Sequence, residues 1–204
     1  MIAIIDYGMG NLHSVSKAVE RLGHDYCFVS TKEELMKADG ALLPGVGAFG
    51  DAMKNLQEKG LIEPIKEYVA SGKPLLGICL GMQILFESSN EHGQHTGLGL
   101  LPGHIARFEG DYKIPHMGWN QLKFLQNSPV LKDVEEGYVY FVHSYFLQPE
   151  ESNRSVLLAT TDYYQEVPAI VGQGNVYGMQ FHPEKSGTVG MKLLQNFTEL
   201  VESL

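Results

Sequence analysis

Pro74-Leu-Leu-Gly-Ile-Cys-Leu-Gly-Met-Gln83 is where the chain commits itself to a fold. The apolar run Pro74 to Ile78 reads as a buried strand. It enters the pattern G-x-C-x-G, and helical spacing follows at once, from about Leu80 to Ser88. A strand that turns this sharply into a helix holds its central residue at the tip of a strained elbow, with small residues on either side because a side chain there would clash. Gly77 and Gly81 meet that demand around Cys79. The cysteine is therefore expected to be exposed at the carboxyl end of a strand, where helix N-terminal N–H groups favour the reactive thiolate. The Leu80 N–H is expected to face an oxyanion forming on an attacked carbonyl. Cys27, by contrast, sits within the run Asp25 to Ser30 without flanking glycines and reads as packing.

Working outward toward the N-terminus, short apolar runs alternate with amphipathic stretches, the pattern of repeated β-α units on a parallel sheet. Ile2 to Asp6 reads as a strand and Leu12 to Leu22 as a helix ended by Gly23; Asp25 to Ser30 is the second strand. Thr31 and Glu34 form a capping box for a helix to about Ala38, Ala41 to Leu43 is a third strand, and helices over Phe49 to Gln57 and Ile62 to Ala70 follow. Beyond the elbow the chain turns β-rich. Strands are expected over Ile105 to Phe108, Gln121 to Leu125, Tyr138 to Leu147, Val156 to Tyr163 and Ala169 to Phe181, before a closing helix over Val189 to Val201. The expected fold class is α/β, a mixed, mostly parallel central sheet between helices, formed as a single domain over residues 1–204.

Composition narrows the function classes. A net charge of −9, with 15 Lys and Arg against 24 Asp and Glu, argues against nucleic acid. No apolar run is long enough to cross a bilayer, and MIAIIDYGMGN carries no basic leader region, so a cytoplasmic protein is expected. Two cysteines are too few for a disulfide framework.

Tyr177-Gly-Met-Gln-Phe-His-Pro-Glu-Lys-Ser186 supplies a base for Cys79. Proline forces the preceding residue into extended conformation, so His182 and Glu184 are expected on one side of an extended segment, as strand residues i and i+2 are. A carboxylate holding one ring N–H fixes the tautomer whose other nitrogen can take the thiol proton. His13, His24, His104 and His116 lack an acid at such spacing and read as surface or packing residues. His92 and His95 form H-x-x-H without a third ligand nearby, so no metal is expected.

Gly45-Val-Gly-Ala-Phe-Gly50 matches G-x-G-x-x-G, which in the first β-α turn would suggest a dinucleotide. Here the turn is the third and the acidic residue at the right distance, Glu67, falls mid-helix, so no cofactor is expected. The bare loop Gly45 to Gly47 reads instead as the second donor of an oxyanion hole.

Six segments in order carry a family resemblance: Asp6-Tyr-Gly-Met-Gly-Asn11, Pro44-Gly-Val-Gly-Ala-Phe-Gly50, Gly77-Ile-Cys-Leu-Gly-Met-Gln83, Pro115-His-Met-Gly-Trp-Asn120, His143-Ser-Tyr-Phe146 and Gln180-Phe-His-Pro-Glu-Lys185. Over its whole length the sequence resembles class I, or triad, glutamine amidotransferases, and within them the glutaminase subunits of imidazole glycerol phosphate synthases. The resemblance implies a Cys79–His182–Glu184 triad that hydrolyses L-glutamine, with oxyanion N–H groups from Val46 and Leu80. It implies substrate contacts at Gly45, Gln83 and Glu91 and along His143, Ser144 and Tyr145. It also implies a heterodimer with a (β/α)₈-barrel cyclase of histidine biosynthesis, with Asn11, Trp119, Asn120 and Lys185 at the interface. Rival readings are the glutaminase of another synthase, a γ-glutamyl hydrolase, a flavodoxin-like binding module and a non-catalytic scaffold for the cyclase.

Overall fold

A computed structural model describes residues 1–204. In the first half, strands β1 (Ile2–Ile5), β2 (Tyr26–Val29), β3 (Gly40–Leu43) and β4 (Leu75–Ile78) alternate with helices α1 (Leu12–Arg21), α2 (Lys32–Lys37), α3 (Phe49–Glu58) and α4 (Ile62–Ala70). The Thr31–Glu34 capping box opens α2 as expected, each side chain bonding the other's backbone. After the elbow comes the short helix α5 (Leu80–Gln83), then β5 (Ser88–Ser89), β6 (His95–Thr96), β7 (His104–Arg107), β8 (His116–Gln121) and β9 (Lys123–Phe124). β10 (Tyr138–His143), β11 (Tyr145–Leu147), β12 (Leu157–Asp162), β13 (Glu166–Gln173), β14 (Val176–Met179) and α6 (Gly187–Glu202) complete the chain.

The central sheet has eight strands in the order β2-β1-β3-β4-β14-β13-β12-β9. Strands β2 to β14 of that order run parallel, and β13, β12 and β9 extend it antiparallel. Alternation along β1 shows how the sheet divides the core: Ala3 and Ile5 enter one hydrophobic cluster, Ile2 and Ile4 the other. The first cluster packs beneath α2, α3 and α4, and the second beneath α1 and α6. Burial on both faces accounts for the unbroken apolar runs of β1, β3 and β4.

Three expected elements are corrected and one strand is added. The helix after Cys79 stops at Gln83 because the carbonyls of Ile84, Leu85 and Phe86 bond amides of the loop Leu98 to Leu101 rather than a further helical turn. Tyr138 to Leu147 is two strands: β10 pairs with β8 and β11 with β7, and the chain changes partner at Ser144. Ala169 to Phe181 is a hairpin, turned at Gly174 and Asn175, with the Asn175 amide bonded to the carbonyls of Val69 and Lys73. His116–Gln121 forms a strand, β8, that the sequence reading did not assign.

Candidate active site

The elements converge at the carboxyl ends of the parallel strands, where open α/β sheets form their clefts. β4 and β14 are parallel neighbours with Ile78 opposite Met179, so Cys79 leaves one strand beside the segment that carries His182 from the other. The Cys79 N–H bonds the Met179 carbonyl at 2.8 Å and locks the two chain ends together.

Cys79 has φ 56° and ψ −114°, a left-handed conformation for a residue with a side chain. Such a conformation costs roughly 1–3 kcal/mol and persists only where the surroundings impose it. A Cβ on Gly81 would lie 1.7 Å from the Leu43 carbonyl oxygen, and one on Gly77 would lie 2.5 Å from that of Gly81. Both elbow glycines are therefore sterically required. The expectation of an exposed thiol is corrected: Cys79 is only 7% accessible, at the floor of a cleft.

His182 Nδ1 lies 2.8 Å from Glu184 Oε1, and both side chains are almost wholly buried. The geometry differs from an extended i, i+2 pair. His182 is extended, as proline demands, but Pro183–Lys185 is a turn of 3-10 helix that folds the carboxylate back beneath the ring. Ser186 pins the turn, its hydroxyl donating to the His182 carbonyl at 2.6 Å and accepting from the Tyr140 N–H at 2.9 Å. Burial works against a charged imidazole, yet the interactions with Cys79 and Glu184 outweigh it and push His182 up to about 10. With Nδ1–H given to Glu184, Nε2 is the nitrogen left to exchange a proton with sulfur.

The cleft above Cys79 has a volume of about 620 Å³. Val46, Gly47, Leu80, Gln83, Glu91, His143, Ser144, Tyr145 and His182 all line it, and Glu184 lies behind His182. A strained, buried cysteine facing a carboxylate-oriented histidine can attack an acyl carbon and shuttle the proton to a leaving group.

Residues 3–200 match the family model "Glutamine amidotransferase class-I". The chain belongs to that family. This amidotransferase is 59% identical to the imidazole glycerol phosphate synthase subunit HisH of Halalkalibacterium halodurans, over 99% of this chain and 97% of the relative. It is 56% identical to the subunit of the same name from Bacillus subtilis, over 98% and 96%. A solved structure described as a glutamine amidotransferase superposes with a TM-score of 0.77 at 22% identity, covering 99% of this chain and all of that one, and so shares the fold.

Two polar features of the amidotransferase cleft differ from expectation. The Leu80 N–H is not free: it donates to the Gly45 carbonyl at 3.3 Å, the nearest acceptor for an otherwise orphaned amide at the start of α5. His143 lines the cleft but offers it no ring nitrogen, since Nδ1 contacts the Tyr145 carbonyl at 2.8 Å and Nε2 contacts His116 at 2.9 Å. Glu91 is buried and accepts the Phe49 N–H at 3.1 Å, which caps α3, a helix whose own N-cap residue is Ala48. Burial raises the Glu91 carboxyl, with the Phe49 bond opposing.

Three polar residues near Cys79 were given no part in the site by the sequence reading. Arg107 and His92 line the cleft. Gln180 is fully buried with its Nε2 4.0 Å from Cys79 Sγ, and only its place two residues before His182 hints at this. Of the four interface candidates, Asn11, Trp119 and Lys185 are exposed. Asn11 also caps α1 through the Ser14 N–H, and Asn120 turns inward, its amide bonded to the Asp162 carbonyl at 2.8 Å.

Proposed function

We propose that this amidotransferase hydrolyses L-glutamine to glutamate and ammonia and passes the ammonia to a separate (β/α)₈-barrel cyclase, as the glutaminase subunit of an imidazole glycerol phosphate synthase. The observation that carries the reading is Cys79, held at φ 56° beside a histidine whose Nδ1 is bound by a buried carboxylate. The names of the relatives supply the synthase and its pathway.

In this reading the Cys79 thiolate adds to the side-chain amide carbon of glutamine, and the carbonyl electron pair moves onto oxygen. The intermediate collapses with cleavage of the C–N bond, and His182 gives its proton to the departing ammonia. Water, losing a proton to His182, then attacks the thioester; glutamate leaves and the thiolate is restored. Glu184 holds the imidazole tautomer throughout. The oxyanion needs the N–H groups of Leu80 and Val46, so the Gly45–Val46 peptide must turn to release the first and present the second. Gly47, at φ +116°, holds a conformation that glycine adopts readily, and Val46 beside it is exposed. Gln83 and the Ser144–Tyr145 segment hold the rest of glutamine, and Glu91 offers a carboxylate for its ammonium.

The partner's place is supported by a surface. Met117, Trp119 and Tyr138 are exposed on the outward face of β8 and β10, with Tyr140 against Trp119 and with Val142 reaching the cleft. Large apolar side chains gathered beside a cleft mark an interaction site. Steady-state assay of ammonia release, with and without the purified cyclase, tests the proposal. Cys79→Ala is expected to abolish glutamine hydrolysis while the cyclase continues to work with added ammonia; retained hydrolysis would refute the assignment.

A further inference from the structure

Antiparallel β8 and β10 set His116 directly opposite His143. Both rings are buried, and neither takes part in the reaction described above. His143 Nδ1 is 2.8 Å from the Tyr145 carbonyl, which can only accept, so that nitrogen carries a hydrogen. With the ring neutral, His143 Nε2 is an acceptor, and His116 Nδ1, 2.9 Å away, must donate to it. His116 Nε2 then accepts from the Asn120 amide nitrogen at 3.2 Å. The Asn120 amide is itself oriented: its nitrogen also donates to the Asp162 carbonyl and its oxygen accepts the Gln121 N–H, each at 2.8 Å. A single arrangement of hydrogens satisfies all these contacts, with both imidazoles neutral and both protonated at Nδ1.

The Tyr145 carbonyl is a junction. From the nucleophile's side it accepts a hydrogen from Gln83 Nε2 at 3.0 Å. The second hydrogen of that nitrogen goes to Gln180 Oε1 at 3.2 Å, which turns Gln180 Nε2 toward Cys79 Sγ. We propose that His116 and His143 are positioning residues that hold the Tyr145 carbonyl, and through it the Gln83 and Gln180 amides, in the orientation that aims an N–H at the Cys79 sulfur. The proposal rests on the glutaminase reading of the cleft.

The surroundings fit this role. His116 is stacked between Phe141 and Tyr163, at centroid distances of 4.6 and 4.1 Å, so its ring cannot turn to exchange its two nitrogens. Burial pushes His116 down to about 4 and His143 to about 3, which keeps both neutral near pH 7. On β8 the inward His116 and Asn120 flank outward Met117 and Trp119, so the chain of hydrogen bonds begins on the strand that carries the apolar surface.

Long-range proton–nitrogen correlation spectra of the histidine-labelled protein read tautomers directly, without any turnover. The expected result is two neutral Nδ1–H imidazoles at neutral pH; an Nε2–H or cationic form of either ring overturns the proposal. His116→Phe keeps a ring but removes both hydrogen bonds. It is expected to slow alkylation of Cys79 by iodoacetamide and to raise KM for glutamine, each by roughly threefold to tenfold, the effect of one lost hydrogen bond. His116→Asn, whose amide can still donate to His143, is expected to recover most of both. Unchanged alkylation and KM in His116→Phe refute the role; if that variant does not fold, the tautomers and His116→Asn decide. Failure of the wild-type chain to hydrolyse glutamine even with the purified cyclase present would remove the glutaminase reading, whereas the spectra and alkylation rates would still judge the two histidines.

Discussion

His182 is the residue at which packing and charge oppose each other most plainly. Its burial disfavours a proton, and its interactions with Cys79 and Glu184 restore it, lifting the ring from 6.5 to about 10. A histidine raised on folding contributes stability that is full below the unfolded value near 6.5 and is lost as pH rises through about 10. His116 and His143 work in the other direction. Lowered to about 4 and 3, they favour the fold fully above 6.5, and that advantage is lost as pH falls below it. Urea unfolding as a function of pH is therefore expected to show greatest stability near pH 6.5 from these three residues. His182→Gln should flatten the alkaline decline and leave the acid one unchanged. An unchanged alkaline decline in that variant would mean that His182 is not the proton reservoir.

Among the elements, α3 ties Glu91 of the cleft to the Gly45–Gly47 loop proposed to serve the oxyanion. It begins at Phe49, directly after Pro44 to Ala48, and its first N–H is held by Glu91 from a segment 42 residues away. Glu91→Ala is expected to raise KM for glutamine and to cost about 0.5–2 kcal/mol of stability, the value of a helix cap. Glu91→Gln keeps an acceptor for Phe49 and removes the charge, so it should raise KM with little loss in urea unfolding. Equal destabilisation by the two variants would show that charge, not capping, matters at this helix end. The elements were unevenly legible in the sequence. Helix α4 was read to the residue and the elbow from Gly77 and Gly81, because local spacing and steric demand dictate both. The partition of Tyr138 to Leu147 was not legible, because an unbroken β pattern says nothing about a change of partner strand at Ser144. His116 was read as a surface or packing residue for the same reason: its meaning comes from the strand opposite. Gln180 and the occupied Leu80 N–H depend on contacts between distant loops, which spacing along one chain does not encode.

For the molecule as a whole, the Cys79 cleft and the exposed apolar face share one small sheet, β8 with β10. Inward residues of that sheet reach the Tyr145 junction, while outward Met117, Trp119 and Tyr138 stand in solvent. A net charge of −9 opposes self-association through this face, and it favours a partner that presents cations around an apolar centre. Trp119, 55% accessible and packed edge-on to Tyr140, is the largest side chain offered and has the character of a binding hot spot. Trp119→Ala is expected to weaken binding of the proposed cyclase by about 2 kcal/mol or more, some thirtyfold in Kd by calorimetry. Hydrolysis of glutamine by the isolated chain should change little, because Trp119 does not line the cleft. Undiminished binding would move the interface off this sheet. Lost hydrolysis without lost binding would instead mean that β8 needs its outer face to hold the inner one in register.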